Sequence, residues 1–340
     1  MLTPFSSSSA LMCAYEPTQT IFKTTKMTAS NQNENPSRKR LEFTSGMVAS
    51  QCAFSTAFYP LTMGKTLIQM GYEPLKPVPI KTIFGTPKLA YPNIFKYLNY
   101  IRQEDGFFGL YRGLGYKLML AVVERGVYVL TFNQMEEHLM ERLRERGKDE
   151  TKDSDEKKQE KKKESTEDQI MVSINDCMCE VLCRSITLAA TYPLQVMMVR
   201  SIAEFVGREN IYNNLPTYIS RLFQESNFYA GFMPKLLSEV YNILMFNTIK
   251  FAIVKVVNNA EFREYVNRSI SMLLNSLLYP YDLCSTVMAV NSCSSLLASR
   301  IEPPFPHWTN CYRSLAHRGQ LKRGSALIWR YMAITHIPNN

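Results

Sequence analysis

The sequence predicts an all-α membrane protein, a helix bundle assembled from three degenerate repeats. Three observations carry this prediction. Five segments have helical periodicity and membrane length, each keeps its polar residues on one narrow face, and an aromatic–Pro pair recurs three times with matching punctuation downstream. The 340 residues are 46% hydrophobic and 20% charged, which excludes a disordered protein as a whole. A formal net charge of +9 suits an anionic membrane surface. No compact Lys/Arg patch interleaved with aromatics accompanies that charge, so no nucleic-acid partner is expected.

Residues 1–40 read as a disordered N-terminal segment. Their first 26 residues carry Ser and Thr but no Arg and no uninterrupted apolar run, so neither a secretory signal nor an Arg-rich transit peptide is expected. Met27 offers an alternative start. The five helical segments span about 44–70, 113–138, 170–201, 233–258 and 264–292. In the first, Gln51, Ser55, Thr62, Lys65 and Gln69 fall at steps of 4, 7, 3 and 4, which is one helix face. The second repeats the pattern with Lys117, Glu124, Tyr128 and Thr131, and the third with Asp176, Glu180, Arg184, Thr187 and Thr191. Lys235, Glu239, Asn242 and Lys250 mark the fourth, and Asn275, Asp282 and Ser285 the fifth, with Tyr279 beside them.

None of these segments offers an uninterrupted charge-free run of about 20 apolar residues, the length a simple lipid-facing span needs, and the mean hydropathy is only −0.18. The polar stripes have two readings. In a soluble bundle they face water; in a membrane bundle they face a shared wet interior, because hydrocarbon exposure of an ionisable group costs several kcal/mol. Aromatic and basic residues at the segment ends favour the membrane. Arg144–Asp168, RERGKDETKDSDEKKQEKKKESTED, has almost no apolar residues and reads as a charged, disordered linker or a frayed helical extension.

The aromatic–Pro pair stands at Tyr59–Pro60, Tyr192–Pro193 and Tyr279–Pro280, late in each odd-numbered helix. QEDGFFGLYRG (Gln103–Gly113), QESNFYAG (Gln224–Gly231) and HRGQLKRG (His317–Gly324) follow in turn. Pro inside a helix bends it, and Gly after a polar turn resets the chain. The chain thus divides into repeat 1 (41–143), the linker (144–168), repeat 2 (169–260) and a truncated repeat 3 (261–340), with Pro60, Pro193 and Pro280 as helix kinks.

These residues resemble the mitochondrial carrier superfamily, built from three two-helix units, and within it the mitochondrial carrier homologues of the outer membrane. The resemblance covers about 40–330 and rests on PLTMGKTLIQMGYEPL (60–75), IFG (83–85), DGFFGLYRGLGYKL (105–118), YPLQVMMVRSIAEFVGREN (192–210), MAVNSC (288–293) and RGSALIWR (323–330). Transporting carriers place Pro-x-acid-x-x-base in each odd helix and close a salt-bridge gate with three acids and three bases. Here Pro60 is followed by Thr62 and Lys65, Pro193 by Gln195 and Met198 with Arg200 displaced, and Pro280 by Asp282 and Ser285. One acid and one base cannot close that network. After Arg323–Gly324 only 16 residues remain, so the sixth transmembrane helix is expected to be missing. A ring lacking one helix leaves a polar groove open sideways to lipid.

The resemblance implies an insertase for tail-anchored and other helical membrane proteins in the outer mitochondrial membrane, with lipid scrambling and recruitment of pro-apoptotic BH3-type proteins as further roles. Membrane lipid and tail-anchored clients are the implied partners. The expected groove-lining residues are Gln51, Thr62, Lys65, Gln69, Glu124, Tyr128, Asp176, Glu180, Arg184, Glu239, Asn242, Lys250, Asn275, Tyr279 and Asp282. The competing functions are a carrier-type solute transporter, which needs a closed central site, and a scaffold or receptor. No Gly-rich phosphate loop, metal-binding helix or nucleophile elbow is present, so neither an enzyme nor a cofactor is expected. The cluster Cys177, Cys179, Cys183 has no nearby His, and Cys293, His307, Cys311 and His317 are irregularly spaced, so no metal is expected.

Overall fold

A computed structural model of the chain describes residues 36–81, 87–150, 161–212, 227–256 and 259–331. The expected N-terminal disorder over 1–35, the IFG stretch, the centre of the charged linker at 151–160 and the start of the second punctuation motif lie outside them. Repeat 1 consists of α1 (Pro36–Ala57), α2 (Tyr59–Met70), a hairpin of β1 (Val78–Lys81) and β2 (Pro87–Tyr91), α3 (Ile94–Gly109) and α4 (Leu114–Glu150). Repeat 2 contributes α5 (Lys161–Gly207) and α6 (Phe232–Val256). Repeat 3 contributes α7 (Ala260–Asn291), a 3-10 turn at Leu297–Arg300, α8 (Trp308–His317) and β3 (Arg330–Tyr331).

Each of the five expected segments is helical over most of its length: α4 and α5 run beyond theirs, the first is split at Phe58, and 257–258 of the fourth lie outside the described residues. The charged segment continues α4 to Glu150 and opens α5 at Lys161, so among the described residues it is helical at both edges. The three prolines act differently. Pro193 and Pro280 sit inside continuous helices, whereas the chain breaks at Phe58 and Pro60 occupies the first turn of α2, where its missing N–H costs nothing. Gly71 ends α2 in the left-handed region (φ 91°), with Tyr72 N donating to Leu67 O and Gly71 N to Ile68 O, a Schellman stop. Asn93 caps α3 by accepting from Lys96 N at 3.1 Å.

The C-terminal halves of the odd helices, α2, α5 and α7, meet one another, and their side chains form the main core: Met63, Leu67, Met197, Ile202 and Val290 among them. A second cluster joins α7 to α8 through Leu283, Cys284, Cys311 and Leu315. Away from that junction α4 packs on α5, α5 on α6, and α6 on α7, while α1 packs on α4. The outward faces are apolar. Met171, Ile174, Met178, Leu182 and Ile186, at steps of 3, 4, 4 and 4, are exposed along α5, opposite the buried Thr187 and Thr191.

A small sheet departs from the all-helical expectation. β1 pairs antiparallel with β2, and β2 with β3 through Ala90↔Tyr331 and Tyr91↔Arg330. Residues 114 and 232, each directly after the glycine of its repeat, begin α4 and α6, but after Gly324 the chain runs through a turn into β3.

Candidate functional site

The three Tyr–Pro pairs and the three glycines are parts of one device. Tyr59 donates its hydroxyl to Arg112 O (2.6 Å), Tyr192 to Ala230 O (2.8 Å) and Tyr279 to Arg323 O (2.6 Å), each the carbonyl just before a left-handed glycine. Those glycines are Gly113, Gly231 and Gly324, with φ of 82°, 79° and 79°. A Cβ there would crowd the tyrosine hydroxyl, and each glycine also faces the next odd helix: Gly113 meets Ser201 Oγ in ordinary contact, Gly324 meets Gln69 Cγ closely, and at Gly231 a Cβ would collide with Ser285 O. Repeat 1 thus abuts repeat 2, repeat 2 abuts repeat 3, and repeat 3 returns to repeat 1. Arg323 seals the last junction by donating from Nη2 to Gln69 O at 2.7 Å while bonding Glu302 at 2.7 Å.

Beyond these locks the polar stripes form a ladder of charges across three helix interfaces. Glu124 on α4 meets Arg184 on α5 at 3.1 Å. Arg184 reaches Glu239 on α6 at 3.5 Å, Glu239 meets Lys235 at 3.3 Å, and Lys235 meets Asp282 on α7 at 3.0 Å. Each carboxylate has a cationic neighbour, as half-buried charges require. Asn242 donates to Asn275 at 2.9 Å, and Asn247 donates to Glu180 at 3.0 Å. Gln69 donates to the Tyr279 hydroxyl at 2.9 Å, and the Lys65 ammonium stands over the Tyr279 ring, 5.3 Å from its centre.

Ten of the fifteen residues expected on the interior face thereby join these contacts: Lys65, Gln69, Glu124, Glu180, Arg184, Glu239, Asn242, Asn275, Tyr279 and Asp282. Tyr128 is buried and stacks on Phe132. The Thr62 hydroxyl donates back to Phe58 O at 3.5 Å, and Gln51, Asp176 and Lys250 are half-buried. The single acid of the odd-helix motif, Asp282, bonds Lys235 of an even helix and not the motif base Lys65. Lys235 and Asn247 complete the network yet stand outside the expected set; Lys235 lies one turn before Glu239, a spacing that signals an ion pair.

Two further charges lie at the core end. Arg200 is fully buried, donating from Nε to Ala289 O at 3.1 Å and from Nη2 to Asn227 O at 3.0 Å, with its guanidinium over Phe228. Glu204, also fully buried, accepts the backbone N–H groups of Ile211 and Tyr212 at 2.5 Å. At the rim, Arg330 of β3 bonds Glu73 and donates to Pro92 O at 3.1 Å. Burial outweighs that guanidinium and lifts the Glu73 carboxyl to about 7.

Three repeats locked head to tail around a charged interior define a carrier-type helical bundle. The family described as mitochondrial carrier protein matches residues 39–143. Mitochondrial carrier homolog 2 of Mus musculus is 30% identical over 285 residues, 80% of this chain and 88% of the relative, and its Homo sapiens counterpart matches to the same extent. Mitochondrial carrier homolog 1 of Mus musculus is 27% identical over 319 residues, 83% and 75% of the two chains. The chain belongs to the mitochondrial carrier homologue family.

Proposed function

We propose that this chain is a multi-pass protein of the outer mitochondrial membrane that inserts tail-anchored and other helical membrane proteins, through a hydrophilic groove open to lipid. The observation that carries the reading is the charge ladder from Glu124 to Asp282, held inside helices whose outer faces are apolar. A polar path beside lipid shortens the apolar barrier that a client's hydrophilic tail must cross. We place the opening between α1 and α7; the packing of α1 on α4 and of α7 on α6, with a turn into β3 after Gly324, supports that reading. Phospholipid headgroups cross by the same path, and the chain also acts as a receptor that recruits pro-apoptotic BH3-type proteins. The reaction is physical transfer, with no bond made or broken, so the chain is not an enzyme.

The solute-transporter reading requires the interior to close and open on both sides by an odd-helix gate. Asp282 is already committed to Lys235, which leaves that gate without an acid. Purified protein reconstituted in liposomes tests both. Protease-protected insertion of a tail-anchored client, without saturable solute flux, is the expected result. Solute exchange without insertion overturns the proposal.

A further inference from the structure

Two buried thiols face each other where α8 docks on α7. Cys284 of α7 and Cys311 of α8 are both 0% exposed and share the second core cluster with Leu283, Val287 and Leu315. Their side chains hydrogen-bond to each other. All seven described cysteines are free. Cys179 and Cys183 also lie close, but one turn apart on the same helix, where a bond would tie no two elements together. A disulfide sets its sulfurs about 2 Å apart and its Cβ atoms about 4 Å apart, and facing, hydrogen-bonded thiols have made most of that approach.

Burial keeps both thiols inert while α8 is docked. The docking is slight. α8 has 10 residues, of which Cys311 and Leu315 are buried, and no side chain caps its N-terminus at His307. Along its edge Trp308 and Tyr312 lean on the Tyr281 ring. Segments with few buried apolar contacts open locally at far less cost than global unfolding. Lifting α8 exposes Cys284 and Cys311 together, and redocking returns them to each other.

We propose that Cys284 and Cys311 form an oxidative modification site, a dithiol that closes to a disulfide by exchange with a low-molecular-weight disulfide such as oxidised glutathione. One cysteine thiolate attacks the glutathione disulfide, forms a mixed disulfide and releases one glutathione. The second thiolate attacks the cysteine sulfur of that mixed disulfide and expels the other glutathione. Two electrons and the two thiol protons leave the protein, and one oxidised glutathione becomes two reduced ones. The product staples α8 to α7 and closes the loop 284–311. That loop carries Glu302, which holds Arg318 and Arg323 at 2.7 Å, and Arg323 reaches Gln69 O. The staple therefore fixes the segment behind the contact that returns repeat 3 to repeat 1.

The test uses the full chain, purified reduced in detergent and titrated with oxidised glutathione. Samples are quenched in acid, unfolded, alkylated with N-ethylmaleimide, digested and mapped by mass spectrometry. Cys284 and Cys311 are expected to lose alkylation together and to appear as one linked peptide pair. The apparent melting temperature should rise by about 5 °C and fall back on adding dithiothreitol. Cys284→Ala should give no linked pair and leave a lasting glutathione adduct on Cys311. Leu315→Ala, which loosens α8, should speed the linkage about tenfold or more. If a variant fails to fold, the wild-type linkage map decides alone. Both thiols still alkylated at saturating oxidised glutathione, a wild-type chain that stops at a glutathione adduct, or linkage of either cysteine to a different partner overturns the site. A Leu315→Ala rate equal to that of the wild type overturns the opening of α8 as its route.

Discussion

At Glu239 the interior chooses between two roles that a polar stripe leaves open. A carboxylate on such a stripe either meets water and passing clients or holds neighbouring helices, and helical periodicity cannot say which. The structure gives Glu239 two cationic partners, Arg184 from α5 and Lys235 from its own helix, with only 18% of its side chain exposed. Removing one partner from a buried pair costs about 3 kcal/mol, because the other charge stays behind. Glu239→Lys, which sets a third cation against two, is therefore expected to lower the steady-state level and melting temperature sharply. Adding Lys235→Glu re-forms the pair within α6 but sets the new lysine against Arg184 and the new glutamate against Asp282, so it should not recover the loss. A Glu239→Lys protein of normal abundance and melting temperature would show that the ladder does not hold the helices. Residues such as Glu124, Arg184 and Asp282 were legible as interior because 3.6-residue periodicity places them on one face. Their partners were not legible, since the pairing of Asp282 with Lys235 across 47 positions depends on how two helices slide against each other.

Elements show the same division between local and long-range information. The Tyr–Pro pairs and the glycines after them are visible in the sequence as separate punctuation, because proline and glycine constrain the backbone wherever they stand. That each tyrosine bonds the carbonyl before its glycine is a tertiary fact, and it explains why the two signals recur together. Gly231 offers the sharpest test. Its φ is 79°, and an added Cβ would lie 2.6 Å from Ser285 O, a backbone atom of α7 that cannot swing aside. Gly231→Ala should thus cost about 2 kcal/mol or more, from left-handed strain plus the displaced helix. Gly126, inside α4 with nothing within 4 Å of a Cβ, is the control. Gly126→Ala should be neutral or stabilising, by up to about 1 kcal/mol of helix propensity. Equal melting temperatures for the two variants would remove the lock from the account of stability. The sheet had no comparable signal. Its strands have 4, 5 and 2 residues, and the third joins from the far end of the chain.

On the scale of the whole molecule, hydropathy and architecture disagree. Among the described residues only Phe232–Val254 is long and apolar enough to pass as a membrane span by composition. The other long helices fail that test because charges such as Glu124 and Arg184 dilute their average, yet those charges are turned inward and paired with one another. What a surrounding solvent meets is the opposite face: Met171, Ile174, Met178, Leu182 and Ile186 on α5, Leu130 on α4, and Leu273 and Leu277 on α7 are all exposed. A water-soluble bundle distributes its residues the other way, with charges outside and large apolar side chains inside. An exposed apolar surface continuous along several helices marks contact with a membrane or another protein. A mean hydropathy below zero would class the chain as soluble; the direction in which each helix turns its charges argues for an integral protein. Mitochondrial membranes washed with alkaline carbonate are therefore expected to keep the protein in the pellet, since the treatment strips proteins held by charge and leaves those embedded in hydrocarbon. Substituting the outer face at two sites, Leu182→Lys with Ile186→Lys, should reduce the pelleted fraction, because each lysine at mid-membrane costs about 3 kcal/mol. Full release of the wild-type chain into the supernatant would assign the apolar faces to a protein partner and remove the membrane-spanning reading.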